Sequence, residues 1–94
     1  MTNTEHAIFS DLLVIELASV LAGPSVGMFF AELGARVIKI ENPRSGGDVT
    51  RSWRSKGEDE RKGQSAYYSS INWGKQVIMM DLTESDQYLS LIHI

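Results

Sequence analysis

The residues best placed for chemistry stand where a buried strand gives way to a helix. Gly23 and Pro24 follow an apolar run from Leu12 to Leu17 and precede a segment with helical spacing. Pro24 suits the first turn of a helix, because the N–H that proline lacks would have no partner there. The other free N–H groups of that turn attract phosphate or carboxylate. The sequence therefore predicts an anion site here; satisfaction of these groups by water and the turn itself is the alternative.

Two common nucleotide-binding motifs are absent from the chain. It contains neither the G-x-G-x-x-G pattern of a dinucleotide site nor the G-x-x-x-x-G-K-[ST] pattern of a P-loop. A standard NAD site and a P-loop are therefore disfavoured, and an anionic ligand must be held by a helix start of another kind.

Two charged residues interrupt the apolar runs. Glu16 lies near the end of the first run, and a lone acid there favours an exposed position at the rim of a sheet. Lys39 interrupts the run from Arg36 to Glu41, which favours a strand near an edge or a functional rim. Both residues are therefore predicted at the border of the sheet.

A polar segment follows the second apolar run. From Arg54 to Lys62, seven of nine residues are charged with mixed signs, a pattern typical of a solvated loop. Trp53 precedes this run, and its large ring must cover a ligand, a partner or the protein's own core. From the loop alone, packing in the core is slightly favoured.

The elements that position these residues follow from the apolar periodicity. The stripe of Val26, Phe29, Phe30 and Leu33 indicates a helix, with Gly34 as a left-handed cap. The full order predicted is a strand over 12–17, a helix from Pro24, a strand over 36–41, a short helix over 64–71, a strand over 76–82 and a helix N-cap over 83–86. The fold class is therefore α/β, with a Rossmann-like βαβ start of a parallel sheet whose ligand lies at the strand C-termini.

Composition bounds the class of protein. The chain has 94 residues, a formal net charge of −3 and no cysteine. This length allows one domain, and the charge gives no general attraction to nucleic acid or to an anionic membrane. No apolar run approaches the ~20 residues that span a bilayer. The polar, acidic N-terminus lacks the pattern of a signal peptide. We expect a cytoplasmic protein that binds neither nucleic acid nor a membrane and holds no metal.

Three segments together resemble a known family. They are VIELASVLAGP, then FFAELGARVIKIENPRSGGDVTR followed by SW, then SAYYSSINWGKQVIMMDL. In this order they resemble the start of the class III coenzyme A transferases, the CaiB/BaiF family, from Leu12 to about Thr83. The resemblance implies the N-terminal part of a larger, interlocked-dimer fold, with coenzyme A or acyl-CoA as substrate and a small carboxylic acid as its partner.

The resemblance also implies roles for individual positions. Asn42 stands in the slot where family members carry a basic residue for the nucleotide end of the coenzyme, and Arg44 follows two residues later. Trp53 matches a residue of a mobile loop near the substrate, and Tyr67 matches one near the active site. The residues expected at the coenzyme are Val20, Leu21, Ala22, Arg44, Met80 and Thr83.

No catalytic residue is assigned. In the family an aspartate attacks the acyl-CoA thioester, and its position falls downstream of the segments that match. The implied activity is transfer of coenzyme A between an acyl-CoA and a carboxylic acid by a homodimer, to which this chain contributes without being active alone. An acyl-CoA racemase or epimerase of the same family, and a non-catalytic nucleotide-binding module, are the alternatives.

The expected organisation has three parts. Residues 1–11 form a flexible leader, in which Ile8 and Phe9 pack on the first strand, and residues 12–88 form a partial coenzyme-binding α/β domain. The last residues, LSLIHI, leave the family pattern, and one reverse translation of them resembles a transposon end used in sequencing adapters. Residues 89–94 are therefore predicted to be a non-native tail, with a native amphipathic end as the alternative.

Overall fold

The computed structural model describes residues 7–58 and 65–93. Its sheet has three parallel strands in the order β1 (Leu13–Glu16), β2 (Arg36–Glu41) and β3 (Gln76–Met79). The helices are α1 (Ala22–Glu32), α2 (Ala66–Ile71) and α3 (Ser85–Ile92), and two 3-10 turns, Pro43–Ser45 and Val49–Ser52, lie between β2 and α2. The predicted α/β class with a parallel βαβ start is confirmed.

The middle strand, β2, carries the core. Val37 and Ile38 are almost fully buried, as is Lys39, which is 0% exposed. Of the two positions predicted for Lys39, an edge strand is wrong, because β2 lies between the other two strands. Instead β1 is an edge strand with Leu13 partly exposed, so the strand predicted to be buried is buried only in part.

Helix α1 begins two residues before the predicted start, at Ala22, and Pro24 is buried in its first turn. Gly34 adopts the expected left-handed conformation, with φ 101°. Part of the predicted apolar stripe faces outward, since Val26 is 57% and Phe29 is 54% exposed. Phe29 nevertheless contacts two other rings, those of Phe30 and of Phe9.

The later elements are shorter than predicted. Strand β3 ends at Met79 rather than at residue 82, and α2 begins after Ser65, whose hydroxyl accepts the N–H of Tyr68. The predicted N-cap role of Thr83 is wrong, because the Thr83 hydroxyl donates to Asp81 and the position before α3 is Glu84. The helix itself forms close to its predicted start.

Phe9 packs against α1 rather than against the first strand. Its ring lies 5.0 Å from that of Phe30, and its N–H donates to the carbonyl of Leu33. Ile8, by contrast, is exposed. Residues 1–6 of the predicted leader lie outside the described residues.

Candidate functional site

A cleft of about 490 Å³ opens at the carboxyl ends of the three strands. Each strand leads into one wall, and the loop between β2 and the second 3-10 turn closes the cleft. Ten of its lining residues are Leu17, Ala18, Ser19, Ile40, Glu41, Asn42, Val49, Met80, Leu82 and Thr83. Ligands of open parallel sheets bind at this edge, so the cleft is the candidate site.

A fully buried lysine lies beneath the cleft. Lys39 Nζ donates to Glu16 Oε2 at 2.9 Å and to the carbonyl of Ala18 at 2.8 Å. It also lies 3.0 Å from Asp48 Oδ2. A buried ammonium group is stable only when it is paired and hydrogen-bonded, and these contacts supply both requirements.

Glu16 joins two lysines. Its second oxygen, Oε1, lies 2.7 Å from Lys75 Nζ, which also donates to the carbonyl of Pro24. Burial lowers the pKa of Lys75, and the contact with Glu16 acts in the opposite direction. At 6% exposure, Glu16 is part of the interior, so the prediction of a rim position is wrong.

The sequence contained a signal for this pairing. Residues 13–16 read LVIE and residues 36–39 read RVIK, so an acid and a base occupy the same place in two adjacent apolar runs. In the parallel sheet Glu16 and Lys39 are register partners. Opposite charges at matching positions of neighbouring strands predict a cross-strand ion pair.

Asp48 ends the Gly46-Gly47-Asp48 turn, and the sequence pattern indicated no role for it. Its carboxylate accepts from the hydroxyl of Thr50 at 2.8 Å and from the N–H of Thr50 at 3.0 Å. Burial would raise the pKa of Asp48, but the Thr50 donors and Lys39 outweigh it and lower the pKa. Asp48 is therefore held ionised.

Glu41 ends β2 and is also buried. Arg51 contacts it twice, with Nε at 2.7 Å from Oε1 and Nη2 at 3.0 Å from Oε2. The Tyr68 hydroxyl and the N–H of Asp48 donate to it as well. Burial tends to raise the pKa of Glu41, and these donors together lower it. The carboxylate is therefore fully paired.

Asp81 is the third carboxylate at the cleft that has a cation beside it. Arg44 pairs with Asp81 and, at 2.9 Å, with Glu84. The donors of Thr83, with a smaller effect of Arg44, lower the pKa of Asp81. Glu41, Asp48 and Asp81 would repel an anionic ligand if they were unpaired, but each has a basic partner. Hence the acidic residues do not exclude an anion from the cleft.

The residues predicted at the coenzyme fall into two groups. Met80 and Thr83 line the cleft. Val20, Leu21 and Ala22 follow directly on the cleft-lining segment 17–19 without lining it themselves, and Arg44 reaches the cleft through its pair with Asp81. The two stretches are close in space, since Val20 N–H approaches Asp48 at 3.4 Å.

Trp53 and Tyr67, predicted near the substrate, lie together in a second, more open pocket. Their rings meet edge to face at 5.3 Å. Other residues of this pocket are Ser52, Arg54, Ser55, Glu58, Ala66 and Ser70. At 44% exposure Trp53 is not a core residue, so core packing, the reading favoured from the loop alone, is wrong.

Residues 7–58 and 65–93 contain neither a metal-binding cluster nor a helix that could span a membrane. No group of three or more histidine, aspartate or glutamate residues there is arranged to hold a metal ion. None of the helices in this part of the chain is long and apolar enough to cross a membrane.

Comparison with known proteins was made with sequences and with solved structures. The sequence model of CoA-transferase family III matches residues 9–91. The succinate–glutarate CoA-transferase of Agrobacterium fabrum is 49% identical over 76 residues, which are 78% of this chain and 19% of that protein. The succinyl-CoA:mesaconate CoA-transferase of Haloarcula hispanica is 43% identical over 88 residues, 87% of this chain and 21% of that protein.

The fold is similar to that of a solved relative. The crystal structure of a CAIB/BAIF family protein from Brucella suis superposes with a TM-score of 0.73 at 39% identity, covering 85% of this chain and 21% of that one. The chain thus spans about a fifth of the length of each of these three proteins.

Proposed function

The chain belongs to CoA-transferase family III, and on that premise we propose that it is part of an enzyme that moves coenzyme A between an acyl-CoA and a carboxylic acid. The observation that carries the proposal is the family match over residues 9–91. The cleft at the strand ends supports it, because Met80 and Thr83, two of the six residues expected at the coenzyme, line it.

The cleft suits the two parts of coenzyme A. Its apolar side chains, such as Leu17, Val49 and Leu82, can cover the methylene and gem-dimethyl groups of the pantetheine arm. Its paired carboxylates present no net repulsion to phosphate. We propose that Arg44 faces the nucleotide end, with Asp81 and Glu84 holding its guanidinium at the mouth of the cleft.

We propose that a part of the full-length protein outside this chain carries out the chemical step. A carboxylate that attacks a thioester gives a mixed anhydride and a thiolate. This reaction needs a site that excludes water and has hydrogen-bond donors for the developing oxyanion. We propose that this chain binds and orients the coenzyme for that step. Trp53 and Tyr67 are proposed to lie near the acyl group, and homodimer assembly and a cytoplasmic location remain predictions.

Succinyl-CoA and a short dicarboxylic acid are the substrates to test first. The names of the Agrobacterium fabrum and Haloarcula hispanica relatives both contain succinate or succinyl-CoA, paired with glutarate in one and mesaconate in the other. We expect the full-length protein to form glutaryl-CoA from succinyl-CoA and glutarate, detected by mass spectrometry.

A charge placed in the cleft tests the binding role directly. Val49 is half exposed in the cleft, so Val49→Glu adds a negative charge without removing a side-chain hydrogen bond. We expect the Kd for coenzyme A, measured by calorimetry on the full-length protein, to rise about tenfold and the difference to shrink as salt is added. Ser10→Glu, at an exposed site away from the cleft, is the matched control.

Equal Kd values for Val49→Glu and the unaltered protein would contradict the cleft as the coenzyme site. Exchange of the hydrogen next to the acyl carbonyl in D₂O, without any carboxylic acid acceptor, would instead favour the racemase alternative. Coenzyme binding with neither reaction would favour a non-catalytic module.

A further inference from the structure

We infer that the buried Lys39–Asp48 pair is a positioning device that locks two walls of the cleft together. One wall is the segment 17–19 after β1, which Val20 follows directly, and the other is the Gly46-Gly47-Asp48 turn after β2. The inference rests on the proposed function only in naming coenzyme A as the ligand whose binding depends on this arrangement.

Lys39 holds the first wall by its backbone. Its Nζ donates to the carbonyl of Ala18 at 2.8 Å, and the side chain is fully buried. Glu16, at the end of β1, binds the same nitrogen at 2.9 Å. No solvent reaches the Lys39 ammonium group, so water does not compete with the Ala18 carbonyl for its N–H. The position of this carbonyl is therefore tied to that of Lys39.

Asp48 holds the same wall two residues further on. The N–H of Val20 points at both carboxylate oxygens of Asp48, at 3.4 Å from each. Val20 has φ 72°, in the left-handed region that a β-branched residue strongly disfavours. Such a conformation persists only when its surroundings fix it, and the carboxylate opposite the N–H is one such contact.

The turn that carries Asp48 is itself rigid. The N–H of Asp48 donates to Glu41 Oε1 at 2.7 Å, and Arg51 and Tyr68 fix Glu41 in turn. Gly47 sits so close that an added Cβ would lie 2.3 Å from Glu41 Oε1. The second wall is therefore anchored to β2 and provides a fixed support for the first.

The pair thus connects two segments that line the cleft but lie far apart in sequence. Both peptide groups that flank Ser19 are held: the carbonyl on one side by Lys39, and the N–H on the other by Asp48. Without the pair, the segment can leave its strained conformation. Apparent affinity then falls in proportion to the fraction of molecules that keep the binding arrangement.

The test compares Asp48→Asn with Val37→Ala in the full-length protein. Asp48→Asn keeps the size of the side chain and removes its charge, whereas Val37→Ala removes buried volume from the other end of β2. We expect Asp48→Asn to raise the Kd for coenzyme A about tenfold. This is the change that results when about a tenth of the molecules keep the arrangement that binds coenzyme A. Val37→Ala, even if it lowers the melting temperature equally, should change Kd by less than about twofold.

Hydrogen exchange over residues 18–22 gives a readout that needs no ligand. Faster exchange there in Asp48→Asn and in Lys39→Met, but not in Val37→Ala, is the expected result. Unchanged exchange and unchanged Kd in Asp48→Asn, or an equal loss of affinity in Val37→Ala, would overturn the inference. If the unaltered protein fails to bind coenzyme A, the proposed function is wrong, and the exchange result alone decides the positioning role.

Discussion

Each buried carboxylate near the cleft has a basic side chain beside it. Glu16 and Asp48 share Lys39, and Glu41 has Arg51, each within about 3 Å. Buried pairs add little net stability compared with apolar packing, but removal of one partner leaves an uncompensated charge and costs about 3–5 kcal/mol. Single substitutions here therefore act mainly by creating an orphan charge.

Gly27 shows how tightly this network is packed. A Cβ at this position would lie 1.9 Å from Glu16 Oε1 and 3.2 Å from Lys75 Cε. We expect Gly27→Ala to destabilise the protein by about 1–3 kcal/mol, because the displaced carboxylate belongs to a buried ion pair. Urea unfolding measures this.

Ser25→Ala in the same helix is the control and should change stability by less than about 0.5 kcal/mol. A neutral Gly27→Ala would mean that Glu16 can move without loss and would contradict the rigid network described above.

The pairing of Glu41 predicts a pH dependence. Its folded pKa lies below the ordinary 4.5, so its contribution is full above that value and is lost as pH falls through the lower folded pKa. Tyr68→Phe removes one donor and makes this depression smaller. The free energy of unfolding of this variant should be about 1.5–3 kcal/mol lower than that of the unaltered protein at neutral pH. The difference should shrink progressively below pH 4.5.

Unfolding from neutral pH to about pH 3 checks this, with Tyr67→Phe as the neighbouring control. A deficit for Tyr68→Phe that stays constant over the whole range would show that its hydroxyl does not act through the charge of Glu41.

At the scale of elements, the strand ends bring the cleft together and the loops after β2 complete it. Helix α2 matters because its first turn is joined to the second 3-10 turn. Ser65 is fully buried, donates to the carbonyl of Thr50 at 2.5 Å and accepts the N–H of Tyr68 at 3.1 Å. One hydroxyl therefore caps the helix and fixes the loop that carries Arg51.

Ser65→Ala should destabilise the protein by about 1–3 kcal/mol, since it removes a cap and leaves the Thr50 carbonyl without this donor. Thermal unfolding measures the loss. Ser70→Ala, at an exposed position of the same helix, should be nearly neutral. Equal stability of the two variants would show that the cap is dispensable.

For the whole molecule, large apolar side chains remain at the surface. Val26, Phe29 and Trp73 are among those more than half exposed. Exposed apolar surface of this kind promotes association, and the chain spans only about a fifth of the length of its relatives. The 94-residue chain expressed alone should therefore self-associate and show no transferase activity.

Sedimentation and an acyl transfer assay check both expectations, and Phe29→Ser should reduce the association. A monodisperse, cooperatively folded chain that binds coenzyme A by itself would favour the binding-module alternative. The predicted division at residues 11 and 88 and the non-native origin of residues 89–94 remain predictions, and the coding nucleotides would decide the second of them.

The sequence by itself determined the α/β class, the parallel order of the first two strands, the left-handed Gly34 and the family, because these depend on local periodicity, turn chemistry and matched segments. The matching places of Glu16 and Lys39 in the two strands indicate a pair, but the tertiary structure alone decided that both residues are in the interior. The local sequence pattern predicts that a lone charged residue is exposed, since burial of a charge is costly without a partner. Lys39 and Glu16 have partners in residues distant in sequence, Asp48 and Lys75 respectively, which only the folded chain brings together.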